Sequence, residues 1–125
     1  MSARPVASNE AVLRFYGPKL AAPLLERVVG MLVARAEASI DRLDDAMLLT
    51  DAVAAHASEF TNGDWTAVTI DTSETELTLT VSPLDAEGAQ ELVASTELPE
   101  IGNVIEHLTS AVEHEDDRLR MTLAF

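Results

Sequence analysis

The chain has 125 residues, 47% of them hydrophobic and 24% charged, which predicts one globular domain with a single core. Its formal net charge of −14, with only 8 Lys and Arg, disfavours nucleic acid and anionic membrane surfaces as partners. The absence of cysteine excludes disulfides, thiolate zinc sites and cysteine nucleophiles. No apolar run has the length of a signal-peptide core or a membrane span, so we expect a cytoplasmic protein.

The first elements are predicted to be a tail, a strand and a helix. Residues 1–9 are small and polar, so we expect a flexible N-terminal tail followed by a single domain over residues 10–125. Alternating apolar residues from Glu10 to Tyr16 predict the strand. Apolar residues at helical spacing predict the helix, which begins near Ala21 or Ala22 and extends toward Ala38.

The stretch from Asp41 to Phe60 predicts a second helix, capped by Ser39 or Asp41, with two unlike faces. The apolar face is expected to pack on a sheet and consists of Leu43, Ala46, Met47, Thr50, Val53, Ala54, Ala57 and Phe60. The opposite face mixes apolar and acidic residues, namely Asp44, Leu48, Asp51, Ala55, Ser58 and Glu59. This mixture is too apolar for a simple solvated surface and too charged for a core, so we expect function to depend on it.

The second half of the chain predicts a hairpin, two more helices and a closing strand. The alternation in Trp65 to Ile70 and in Glu76 to Ser82 indicates two antiparallel strands. Ser82-Pro83 is typical of a capped helix start, and that short helix is expected to run from Leu84 to Ala94. Helical spacing from Ile101 to Val112 predicts a longer helix. Alternation from Arg118 to Phe125 predicts the last strand.

This order of elements predicts an α+β fold. Two helices separate the first strand from the hairpin, and two more separate the hairpin from the end of the chain. We therefore expect a two-layer α/β sandwich with the helices on one face of a mostly antiparallel mixed sheet.

Three segments at the joints of this pattern carry candidate site residues. They are LLTDAVAAHA in the second helix, SPLDAEGA after the hairpin, and EIGNVIEHL at the start of the last helix. Within them the candidate residues are Asp51, Ala55, Asp85, Gly88, Gly102 and Asn103.

The element order and these segments resemble the ATP-binding domain of histidine kinases, gyrase-type ATPases and, most of all, bacterial anti-sigma factor serine kinases. The resemblance extends from about Val12 to Phe125 and implies the histidine kinase-like ATPase fold. In that family the second helix carries a Glu, the base or water-positioning group, and four residues later an Asn that holds magnesium. Asp51 matches the Glu position and Ala55 the Asn position, and alanine cannot ligate a metal.

The two glycine motifs of the family are also reduced in this sequence. The adenine-binding Asp-x-Gly-x-Gly is represented by Asp85 and Gly88, and the phosphate-binding Gly-x-Gly by Gly102 beside Asn103. These losses imply weak or absent ATP binding, no magnesium cofactor and no kinase activity, with Asp51 as the vestigial catalytic candidate. The resemblance then implies a degenerate, non-catalytic regulatory protein that contacts a sigma factor or an anti-sigma antagonist, and it implies a homodimer.

Two alternatives stay open. One is an ATP-binding serine kinase with an unusual active site, and the other is a small-ligand binder that uses the vacated nucleotide pocket. Leu48 and Ala55 are expected to fill that pocket by packing under the short helix, because an empty apolar cavity is costly. The three histidines, His56, His107 and His114, lack the spacing of metal ligands, so we expect no metal site.

Overall fold

The structure, a computed structural model, describes residues 9–16 and 22–125 of the chain. Its described elements are β1 (Asn9–Tyr16), α1 (Ala22–Arg35), α2 (Ile40–His56), a 3₁₀ turn (Ala57–Phe60), β2 (Trp65–Thr72), β3 (Glu76–Ser82), α3 (Gly88–Ser95), β4 (Glu97–Leu98), β5 (Gly102–Asn103), α4 (Val104–Leu108), β6 (Ala111–Glu115) and β7 (Arg118–Ala124). The predicted tail, residues 1–9, lies outside the described residues apart from Asn9, which begins β1.

Five strands form one sheet in the order β1-β2-β3-β7-β6, and every neighbouring pair runs antiparallel. The predicted antiparallel character is confirmed, but the expected mixed character is not, since no two described strands pair in parallel. The connections explain this result. Short turns join β2 to β3 and β6 to β7, and the two helices after β1 carry the chain along the sheet and back again, so β2 also runs antiparallel to β1.

The helices and the sheet form two layers with the core between them, as the α+β prediction requires. The central strands supply Leu77, Leu79, Val81, Leu119, Met121 and Leu123, all buried. The first two helices supply Leu25, Val29, Leu32, Val33, Leu49 and Val53, also buried. Burial of one such side chain stabilises the fold by about 1.5–3 kcal/mol. The opposite face of the sheet carries half-buried polar residues such as Thr78 and Thr80, as the alternation predicts.

The second predicted helix is confirmed as α2 and the 3₁₀ turn that follows it. Ser39 caps it, since its Oγ accepts a hydrogen bond from the backbone N–H of Arg42 at 3.3 Å. The predicted apolar face is buried or half-buried throughout. The prediction omitted Leu49, which is fully buried because α2 contacts α4 as well as α1. Among the described residues no helix is both long and apolar enough to cross a membrane.

The short helix after the hairpin starts later than predicted, because backbone hydrogen bonds hold the chain extended beyond β3. The N–H of Leu84 donates to the carbonyl of Asp117 at 2.8 Å, and the N–H of Asp85 donates to the carbonyl of Phe60 at 2.9 Å. Leu84 also forms an isolated bridge with Thr61. Ser82-Pro83 is therefore not the start of a helix, and α3 begins only at Gly88.

The predicted long helix from Ile101 to Val112 is wrong. α4 has only 5 residues, Ile101 is exposed, and Val112 belongs to β6. After α4 the hydroxyl of Thr109 donates to the carbonyl of Ile105 at 2.7 Å, and the N–H of Ser110 begins the pairing with β7. Short apolar runs fit a helix and a strand equally well, and here the available strand partner decides between them.

Thr72→Val is expected to stabilise the protein. The Oγ1 of Thr72 is buried and has no hydrogen-bond partner within the described residues, whereas valine keeps the shape and the preference for a strand. Removing an unpaired buried hydroxyl should raise the free energy of unfolding by about 1 kcal/mol and the Tm by about 3–5 °C in thermal denaturation.

Thr50→Val is the matched control for that substitution. Thr50 is equally buried, but its hydroxyl donates to the carbonyl of Ala46 at 2.7 Å. We expect no stabilisation from this change, since a satisfied hydrogen bond is lost. Equal gains from the two valines would contradict the assignment of Thr72 as unpaired.

Candidate functional site

A groove of about 230 Å³ lies beside the exposed face of α2, at the place where the sequence predicts the site. Its lining residues come from α2, the end of α3, the β4–β5 hairpin and α4; they are Leu48, Asp51, Ala52, Ala55, His56, Ser95, Thr96, Leu98 and Val104. Asp51 and Ala55 are thus the two predicted site residues that the structure brings together. We refer to this feature as the α2 groove.

The expectation that Leu48 and Ala55 fill a vacated pocket is wrong. Leu48 is 56% exposed and Ala55 is also exposed, so neither side chain is covered by α3. Buried residues from other elements, Leu92 and Ile105 among them, occupy the space beneath the helices instead. The outer face of α2 consequently stays free to meet a ligand or a partner.

Asp51 interacts with a second carboxyl group at one side of the α2 groove. Glu26 of α1 shares a hydrogen bond with Asp51, and this bond raises the pKa of Glu26 above its ordinary value. Partial burial and the negative charge of Asp51 raise that pKa further. The two carboxyl groups lend this side of the groove an acidic character.

The hydroxyl groups in the α2 groove already have partners. Ser95 Oγ donates to the carbonyl of Leu92 at 2.6 Å, and Thr96 Oγ1 donates to the carbonyl of Val93 at 2.8 Å. His56 lies 3.7 Å from a carboxylate oxygen of Glu59, which forms an ion pair only when the imidazole is protonated. The remaining surface is mostly aliphatic, so this groove can bind an apolar group more readily than it can perform acid–base chemistry.

Asp85 and Gly88, expected at an adenine site, do not line the α2 groove. Asp85 is exposed. Gly88 is buried, and a Cβ added there would lie 2.6 Å from the carbonyl oxygen of Phe60 and 3.2 Å from Cβ of Leu84. Only glycine therefore allows α3 to start this close to the 3₁₀ turn, which gives Gly88 a structural role in the contact between these two elements.

Gly102 and Asn103, expected at a phosphate site, form the end of the β4–β5 hairpin. Gly102 has a φ of +91°, which glycine tolerates in such a turn. Asn103 caps α4, since its Oδ1 accepts from the N–H of Glu106 at 3.0 Å while its Nδ2 donates to the carbonyl of Val93 at 2.7 Å. The sequence held a signal for this role in the spacing of Asn103 and Glu106, which is typical of a capped helix start.

In the described part of the chain, no three His, Asp or Glu side chains approach one another closely enough to hold a metal ion. The sequence matches no protein-family model, and no curated protein matches it at a significant level.

Gly88→Ala is expected to destabilise the protein. The added methyl group overlaps the carbonyl of Phe60, which belongs to the backbone and already accepts a bond from Asp85. We expect a loss of about 1–3 kcal/mol in the free energy of unfolding, measured by urea denaturation.

Gly30→Ala provides the opposite control within α1. Its added Cβ meets only the flexible end of Met47, at 3.7 Å, in ordinary van der Waals contact. An alanine in this helix should stabilise the protein by about 0.5–1 kcal/mol. If both alanines stabilised the protein, the close approach at Gly88 would be refuted.

Asp51→Asn is expected to raise the Tm at about pH 7, with a gain that disappears near about pH 4. The raised pKa of Glu26 means that its contribution to stability is complete below the unfolded value of about 4.3 and is lost as the pH rises through the folded value. Without the charge of Asp51, the pKa of Glu26 should fall toward its ordinary value, and the loss of stability at neutral pH should become smaller. Circular dichroism melts across that pH range measure the effect.

Asp64→Asn, in the exposed loop before β2, changes the net charge by the same amount and serves as the control. It should shift the Tm far less than Asp51→Asn at neutral pH. A stabilisation by Asp51→Asn that did not vary with pH would contradict the effect of Asp51 on the pKa of Glu26.

Proposed function

We propose that the chain is a degenerate relative of the anti-sigma factor serine kinases that regulates through protein contacts and does not catalyse a reaction. The observation that carries this proposal is the mostly aliphatic lining of the α2 groove, which includes Ala55, the residue that the resemblance matches to a magnesium ligand. The order of elements and the packing of the helices on one face of the sheet support a histidine kinase-like ATPase fold, whereas the fully antiparallel pairing of the described strands differs from the mixed sheet expected for it. A cytoplasmic location accords with this role.

The groove suits a nucleoside triphosphate poorly. Its volume of about 230 Å³ falls below the range of about 300–1,000 Å³ that is usual for ligand pockets. The phosphates would also meet the carboxyl group of Asp51, with no amide side chain at Ala55 to help hold magnesium. Our proposal therefore includes neither ATP nor magnesium as a cofactor.

Exposed apolar residues around the α2 groove support a protein partner. Leu48 and Leu98 line the groove with substantial exposed surface, and Ile101 lies near by on the β4–β5 hairpin, also exposed. Exposed apolar groups gathered in one place are typical of interaction surfaces. In the proposed role the partner is a sigma factor or an anti-sigma antagonist, and the acidic charge disfavours nucleic acid and membranes as direct partners.

A homodimer through β1 is part of the same proposal. β1 pairs with β2 on one side, and no described strand pairs with its other edge. Val12 and Tyr16 expose most of their surface on this strand. A second copy placed against this edge would continue the sheet across the dimer axis.

Leu48→Glu is expected to abolish partner binding. Affinity purification of the intact chain from its native host, with mass spectrometry, should recover a sigma factor or its antagonist, and this variant should reduce retention about tenfold or more by placing a charge in the groove. Its free energy of unfolding should stay within about 0.5 kcal/mol of that of the unaltered chain, since Leu48 is exposed. Calorimetry with Mg-ATP should detect no binding.

Ile40→Glu is the matched control, because Ile40 is an exposed apolar residue at the start of the same helix and outside the groove. It should retain the partner at the level of the unaltered chain. Micromolar binding of Mg-ATP, which corresponds to about −8 kcal/mol, or loss of the partner in both variants would overturn the proposal.

A further inference from the structure

A second groove, of about 510 Å³, lies between α3 and the last two strands of the sheet. Its lining residues are Ala89, Gln90, Val93, Ala94, Glu97, Asn103, Glu106, Val112, His114 and Leu119. Buried Ala89 and Leu119 form an apolar floor, whereas Glu97 and Glu106 are exposed at the rim. We refer to this feature as the β6 groove.

The β6 groove exists because the helical layer stops at β7. Val112 of β6 lies opposite Met121 of β7 and faces the same layer, yet Val112 is 38% exposed while Met121 is fully buried. The next pair on that face repeats the difference, since His114 is exposed and its partner Leu119 is buried. β6 thus presents apolar and imidazole groups to a face that no described helix covers.

β6 is also an edge strand. It pairs with β7 on one side, and no described strand pairs with its other side. An edge strand carries main-chain N–H and C=O groups that can receive another strand. An extended polypeptide placed there would gain main-chain hydrogen bonds, and its side chains on the helical face would lie next to Val112 and His114, about 4.5–5.5 Å away.

The charges around this edge determine whether an acidic or a basic strand is favoured there. Carboxylates surround it from the hairpin, α4, β6 and the β6–β7 turn, namely Glu97, Glu106, Glu113, Glu115, Asp116 and Asp117. Only Glu113 and Glu115 lie opposite cations, Arg120 and Arg118 respectively. Like charges on an edge oppose pairing with a second copy of this chain, whose net charge is −14, and they attract a basic segment.

We propose that β6 and its groove bind an extended basic segment of another polypeptide, which adds to the sheet as a sixth strand. Alternate apolar side chains of this segment would pack beside Val112, and Lys or Arg side chains would reach Glu97 and Glu106. This surface is separate from Leu48 and the α2 groove, and the inference does not depend on the regulatory role proposed above.

The test uses the purified chain and a peptide of about nine alternating lysine and valine residues, acetylated and amidated, with binding followed by fluorescence anisotropy. The same peptide with glutamate in place of lysine should bind about tenfold or more weakly. A lysine–valine peptide with alternate amides N-methylated keeps its charge but loses its main-chain donors, and it should also bind about tenfold or more weakly. NMR shifts on binding should centre on β6 and α3.

Charge reversal in the chain supplies the matched pair of variants. The double variant Glu97→Lys with Glu106→Lys changes two exposed residues. It should bind the lysine–valine peptide about tenfold or more weakly. Asp64→Lys with Glu74→Lys, in two exposed loops away from the groove, makes the same change in net charge and should weaken binding much less. Circular dichroism verifies that both variants fold.

Three results would overturn the inference: no binding at about 1 mM peptide, equal binding of the N-methylated peptide, or equal losses in the two charge-reversed variants. Equal binding of the N-methylated peptide would mean that the surface attracts basic chains by charge alone. None of these results affects partner retention in the Leu48→Glu comparison, so failure here is distinct from failure of the regulatory role.

Discussion

Three cross-strand pairs between β3 and β7 join the two hairpins of the sheet, and the remaining architecture is arranged around them. Leu77 lies opposite Leu123, Leu79 opposite Met121, and Val81 opposite Leu119, and all six side chains are buried. These pairs hold the β2–β3 hairpin to the β6–β7 hairpin at the centre of the sheet. They also form the apolar surface on which the helices pack, so the layers cannot form without this register.

The segment between these hairpins, residues 83–110, carries parts of both grooves and is held by a small number of specific contacts. Leu84 donates to the β6–β7 turn, Gly88 permits the close approach to Phe60, and Asn103 connects α4 to α3. Each contact acts at a point where the backbone changes direction. The shape of both grooves therefore depends on hydrogen bonding and close backbone packing more than on the central core.

The sequence predicts the parts of the fold where the spacing of apolar residues fits only one kind of secondary structure. Alternation in Glu76–Ser82 and Arg118–Ala124 identifies the central strands, and the apolar face of α2 identifies the packed side of that helix. The run from Ile101 to Val112 was ambiguous because its spacing fits one helical turn followed by a strand as well as it fits a long helix. Only the pairing of β6 with β7, the next strand along the chain, resolves it.

The candidate site was predictable in part. Asp51 and Ala55 lie on one groove, as their spacing of four residues on one helix requires, but Gly88 and Asn103 proved to be structural. Their roles depend on which backbone groups approach them in space, and a single sequence does not contain that information. The exposure of Leu48 was missed for the same reason, because residues from other elements fill the interior in its place.

One hydrogen bond gives the two grooves a common wall. Thr96 lines the α2 groove, Asn103 lines the β6 groove, and their side-chain oxygens lie 3.1 Å apart in a hydrogen bond. A substitution at Thr96 or Asn103 would therefore change the lining of both grooves at once, whereas Leu48 and His114 each line only one of them.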